Sequence, residues 1–90
     1  ANLSGADLSG AHLTHADLAE ADLFGANLRG ANVAGADLRR ANLALCNLRG
    51  ARLKGTNLRD ANLNGADLTD ADLEGADVTG ASFGETGATA

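Results

Sequence analysis

No proline, tryptophan, tyrosine or methionine occurs in the 90 residues, and there are only one cysteine and two phenylalanines. Each absence removes a class of structure. Without large rings or thioethers the interior must be built from Leu, Val and Ala; such a core is narrow and suits a rod better than a ball. A compact globule of this length is marginal in any case, because much of its surface stays wet. Cys46 has no second cysteine to pair with, so no internal disulfide staples the fold. No apolar run approaches the roughly 20 residues that a membrane-spanning helix needs. No basic stretch followed by an apolar one opens the sequence, so no secretory signal is visible. A soluble, cytoplasmic chain of one domain is the expectation, with no membrane contact.

What is present is a five-residue word. ANLNG-ADLTD-ADLEG-ADVTG, residues 61–80, has Ala first, Asn or Asp second and Leu or Val third, and the rest of the chain repeats it. Asp or Asn holds the second place in 14 of 18 words and Gly the fifth in 10 of 18, so the second and fifth places need a structural reason. Five residues of α-helix turn through about 500°, which would smear the leucines around the helix. In a continuous strand side chains alternate, so an odd period would send Leu3 inward and Leu8 outward. Both regular conformations fail.

The conflict disappears if each word is a short extended piece followed by a corner. Ala and the third-place Leu then point one way and the Asp or Asn between them the other. The last two residues turn, and glycine there takes a positive φ without steric cost. Windings of this kind stack as parallel strands about 4.8 Å apart, each supplying the next with backbone partners. Spacing alone leaves three, four or five words per turn open.

The words resemble those of the pentapeptide-repeat family: a small residue, Asp or Asn, Leu or Phe, a polar residue, and often Gly. The resemblance covers residues 1–83. It implies an all-β fold, a right-handed quadrilateral parallel β-helix of about four and a half coils, each of four pentapeptides, forming a rod about 22 Å long at the strand spacing. Residues 84–90 break the pattern and are expected to be a degenerate cap or tail, with Phe83 closing the Leu3 column. Cys46 and Thr56 stand where Ala is usual and are expected to be small interior residues, the thiol inert through burial.

With twenty residues per coil, the charges divide along the stack. All seven bases lie between Arg29 and Arg59, and acidic residues dominate both ends. Arg40 should stack between Glu20 and Asp60. Arg29 should stack on Arg49 and Arg39 on Arg59, and such like-charged pairs either splay into solvent or meet an acidic partner. Phe24 and Leu45 are outward apolar positions without a structural reason, and with Ala44 they form a candidate contact patch. Phe24, Leu45, Arg29, Arg49, Arg39 and Arg59 are therefore the candidate partner-binding residues.

No catalytic, cofactor or metal site is expected. His12 and His15 supply two imidazoles where zinc needs three or four ligands, and the periodic glycines are explained by corners. The family resemblance implies a bacterial, often cyanobacterial, protein without chemistry of its own. A non-enzymatic scaffold for an unidentified protein partner is the leading reading, and the uncovered first coil adds end-to-end self-association. The family also includes fluoroquinolone-resistance proteins that mimic DNA and occupy gyrase, an alternative suggested here by the net charge of −5. Nucleic acid itself is disfavoured as a partner, because the acidic ends repel phosphates and no aromatic series offers stacking.

Overall fold

Asn2 bridges Asp22, Asp22 bridges Asn42 and Asn42 bridges Asn62, all parallel and all twenty residues apart. The same offset joins the columns that begin at Asp7, His12 and Asp17, so four words complete one coil. The computed structural model describes residues 2–84. Each word contributes one bridging residue and one turn, which gives every coil four turns and four faces. The first face holds the words that begin at residues 1, 21, 41, 61 and 81, and the other three faces follow in chain order.

The backbone hydrogen bonds explain why the word has five residues and why the second is Asp or Asn. The first residue's N–H closes the preceding turn, as Ala26 N donates to Leu23 O at 2.9 Å. The second donates to the coil below, Asn27 N to Ala6 O at 2.9 Å, and the third to the coil above, Leu28 N to Asn47 O at 2.8 Å. The fifth donates upward too, Gly30 N to Arg49 O at 2.9 Å. Only the fourth N–H has no backbone acceptor, and the second-place side chain supplies one: Arg29 N donates to Asn27 Oδ1 at 3.0 Å. Asp and Asn are the residues suited to accept from an N–H two places on. The outward side chain thus closes the turn in its own word.

Two words of the full coils lack this bond because His12 and Arg52 occupy the second place, and neither Thr14 N nor Lys54 N has a partner among the described residues. Replacing Arg52 by Asn should restore it. The expected gain is about 1 kcal/mol, the usual net worth of such a bond, read as a rise in the urea midpoint with an unchanged slope.

The fifth residue carries the corner. Ten fifth-place glycines have φ between 67° and 75°. Six other corners hold the same conformation with a side chain present: His15, Glu20, Arg40, Leu45, Asp60 and Asp70. A left-handed L-residue costs roughly 1–2 kcal/mol, so these six positions are strained relative to glycine.

First- and third-place side chains meet on the axis. From Ala21 to Leu63 nearly all are essentially buried, and Leu3, Leu8, Leu13, Leu18, Leu68, Leu73 and Phe83 pack half-buried at the two ends. Val78 in the last full coil is 40% exposed. Cys46 and Thr56 are interior, as the column expectation has it. The Cys46 thiol donates to Leu23 O at 2.9 Å and the Thr56 hydroxyl to Val33 O at 3.0 Å, so both polar groups are satisfied inside the leucine core.

The rod expectation needs correction. The Cα extents are 29 × 25 × 23 Å, so the stack is about as wide as it is tall and forms a squat prism. Coil spacing fixes the height, but the width of a four-sided coil is comparable and the word count alone does not reveal it. The expected cap at 84–90 lies, apart from Gly84, outside the described residues. No helix among the described residues is long and apolar enough to cross a membrane.

Candidate interaction surface

The six candidate residues do not form one site. Phe24 and Leu45 stand on the first face, Arg29 and Arg49 on the second, and Arg39 and Arg59 on the fourth. What brings residues together is the column, because position within the word sets which face and which edge a side chain occupies.

The first face is nearly free of charge: Asp22 is the single ionisable side chain among its described residues, whose bridging column otherwise runs Asn2, Asn42, Asn62 and Ser82. Phe24 is 44% exposed and Leu45 59% exposed on this face. They are joined through the ladder, since Gly25 N donates to Ala44 O at 2.9 Å and Leu45 N to Asn64 O at 3.0 Å. Ala44 is buried although most fourth-place residues are exposed. Leu45 holds a φ of 60°, and a Cβ on Gly65 would come within 2.6 Å of its Cδ2. The leucine therefore lies over a glycine that leaves room for it, and a strained corner keeps a large apolar side chain in water.

The arginines of the middle coils are mostly neutralised within the chain. Arg39 forms a two-point contact with Asp37, at 2.9 Å from Nε and 2.7 Å from Nη2. Arg49 reaches Asp67 at 3.5 Å, Arg59 reaches Asp77 at 3.2 Å, and Lys54 lies 3.9 Å from Glu74. The stacked like charges expected for 39 with 59 and 29 with 49 are thus relieved by the chain's own carboxylates. Arg29 and Arg52 have no ion pair among the described residues. Asp37 sits below the usual carboxylate range chiefly because the Arg39 side chain donates to it. Asp67 and Asp77 do so chiefly because the Thr69 and Thr79 hydroxyls donate to them, both at 2.6 Å. These pairs are exposed, so solvent screens them and each adds little to stability.

Arg40 approaches Glu20 at 3.6 Å, but Asp60 has no cationic partner within ion-pair distance among the described residues, so the expected three-member ladder is closed on one side only. An open groove of about 470 Å³ follows this corner, lined by Ala19, Glu20, Arg39, Arg40, Arg59, Asp60 and Thr79.

Nothing in these positions assembles into a reaction centre. Burial pushes the Cys46 thiol up to about 11 from 9.0, so at neutral pH it stays protonated against Leu23 O. His15 lies over Gly35, where a Cβ would meet its ring at 2.6 Å. No group of three or more metal-ligating side chains converges among the described residues.

A family model described as pentapeptide repeats matches eight copies across residues 1–40, 21–59 and 46–84. Among solved structures, a pentapeptide repeat protein from Nostoc Pcc 7120 is 34% identical over 96% of this chain and 76% of its own, with a TM-score of 0.85. The pentapeptide repeat protein Rfr23 from the cyanobacterium Cyanothece 51142 is 37% identical over 91% of this chain and 53% of its own, with a TM-score of 0.49. QnrB1, a plasmid-mediated fluoroquinolone resistance protein, is 17% identical over 89% of this chain and 54% of its own, with a TM-score of 0.44. The chain spans about half the length of the last two, and their superpositions are too loose to carry an argument. No curated protein matches.

Proposed function

The chain belongs to the pentapeptide-repeat family, and from that premise we propose that it is a non-catalytic scaffold, a right-handed quadrilateral β-helix that offers a rigid lateral face to a protein partner. The observation that carries this reading is the first face, where a column charged only at Asp22 surrounds Phe24 and Leu45. Leu45 strengthens the case because its conformation is costly and its side chain is more than half exposed. Folding gains little from it, whereas a partner that buries both half-exposed side chains would recover about 2 kcal/mol in all, roughly half of the full-burial value for each. Charge-poor interface centres with aromatic residues are the usual pattern of protein contacts.

The test compares the wild type with Phe24→Ser plus Leu45→Ser, as bait, in extract of the source cells. Both should melt alike, and the double variant should lose at least about tenfold of the captured partner. Equal capture by the two proteins rejects the first face as the contact.

The second reading, DNA mimicry directed at gyrase, draws on the net charge of −5. Against it, all seven bases lie in the middle of the stack and the prism is as wide as it is tall. A gyrase supercoiling assay separates the two readings: the scaffold reading expects no inhibition at high micromolar protein, and inhibition there would favour the mimic.

A further inference from the structure

The corner between the fourth and first faces differs from the other three. Its column runs Glu20, Arg40, Asp60, Gly80, and the first three hold φ values of 63°, 60° and 60°. Each other corner column has one side chain among its four full-coil members and glycine at the rest. Three successive coils thus accept left-handed strain here, and what the strain presents is a row of alternating charge, negative, positive, negative.

That row borders the open groove of about 470 Å³. Arg39 and Arg59 line the same groove, but their charges are engaged by Asp37 and Asp77. With their heads held, their stems line the groove beside Ala19 and Thr79, and the lining as a whole is more polar than apolar. Glu20, Arg40 and Asp60 remain available: the Glu20–Arg40 approach of 3.6 Å joins two side chains that are both more than two-thirds exposed, and Asp60 has no ion pair among the described residues.

Spacing identifies the occupant. Glu20 to Asp60 covers two coil steps, about 9.6 Å at the parallel-strand spacing. Seven residues of α-helix rise about 10.5 Å, so side chains at i, i+4 and i+7 fall nearly in register with the three coils. The i, i+2, i+4 side chains of an extended strand span about 13 Å, which overshoots by most of a coil.

We propose that this corner docks an α-helix of a protein partner, laid along the coil axis, with a basic, an acidic and a basic residue at i, i+4 and i+7 against Glu20, Arg40 and Asp60. The site rests on the scaffold reading but lies on a different edge from Phe24 and Leu45. The two contacts therefore fail separately: serine variants at 24 and 45 leave the corner intact.

The probes are two alanine-rich helical peptides of the same composition, one with Lys, Glu, Lys at i, i+4 and i+7 and a second Glu on the far face, the other with Glu, Lys, Glu there and its second Lys on the far face. Amide shifts of the labelled protein are followed at low salt, where exposed pairs count most. The Lys–Glu–Lys peptide should bind at least about fivefold more tightly than its inverse, with shifts centred on residues 19–20, 39–40 and 59–60. The triple variant Glu20→Lys, Arg40→Glu, Asp60→Lys should invert the preference. Arg40→Glu alone, which keeps two of the three corner residues, should reduce it. Equal affinities for the wild type, binding of neither peptide, or a preference unchanged in the folded variants would overturn the proposal.

Discussion

Leu48→Lys is expected to abolish the folded state, and Leu48→Ala to weaken it by about 2–5 kcal/mol. Leu48 is 1% exposed at the centre of the Leu8, Leu28, Leu48, Leu68 column. Its neighbours on the axis are first- and third-place side chains of the middle coils, almost all Leu, Val and Ala, with no carboxylate among them. An ammonium group there has neither water nor a counter-charge, and the cost of burying it is comparable with the whole stability of a small domain, about 5–15 kcal/mol. The alanine variant loses methylene contacts and leaves a void that neighbouring coils can close only by breaking their own ladder. Leu68→Ala, at the half-buried end of the same column, should cost less than Leu48→Ala. Thermal melts followed by circular dichroism check the order; equal losses at 48 and 68 would mean that the column is not continuous.

Much of this was legible because the period excluded its competitors. Leu3, Leu8 and Leu13 can share an interior only if the backbone bends between them, and the left-handed glycines at Gly5 and Gly10 are those bends. The interior places of Cys46 and Thr56 followed from the same column rule. The role of the second-place Asp and Asn was less visible. Alternation says that they point away from the axis, but the orphaned N–H they satisfy emerges only once every other donor in the word has a partner. The preference of these residues for an N–H two places on was the signal that could have found it.

Illegible were features that depend on side-chain direction between words. Arg49 meets Asp67 and Arg59 meets Asp77 at an offset of 18 residues, which the twenty-residue column does not list. The arginine leaves the fourth place of one coil and leans back along its face to the second place of the next. Column reasoning put Arg39 against Arg59 and saw a repulsion that the Asp37 and Asp77 carboxylates relieve. The squat outline was hidden for a similar reason, since width depends on how sharply each corner turns.

Deleting Gly55 alone should be far more damaging than deleting the whole word 51–55, although the second change removes five times as much chain. Every ladder bond joins residues whose separation is fixed by four words per coil: Asn57 bridges Asp37 below and Asp77 above, each at an offset of twenty. Removing a complete word leaves every later residue at its old place within a word and turns the later words by one face. Leu still follows Ala inward, Asn57 still meets a second-place residue in each neighbouring coil, and the corner still falls on a fifth residue. Removing Gly55 alone shifts all later residues by one place. Thr56 then occupies a corner, Asn57 and Leu58 each move one place back in the word, and the fourth coil can keep its leucines inside only by abandoning its ladder with the third. The single deletion is expected to lose the cooperative melt, with about 2–5 kcal/mol lost for each core leucine expelled. The five-residue deletion should melt cooperatively within several degrees of the wild type. If both deletions melt alike, the stack is not held in register by the five-residue word.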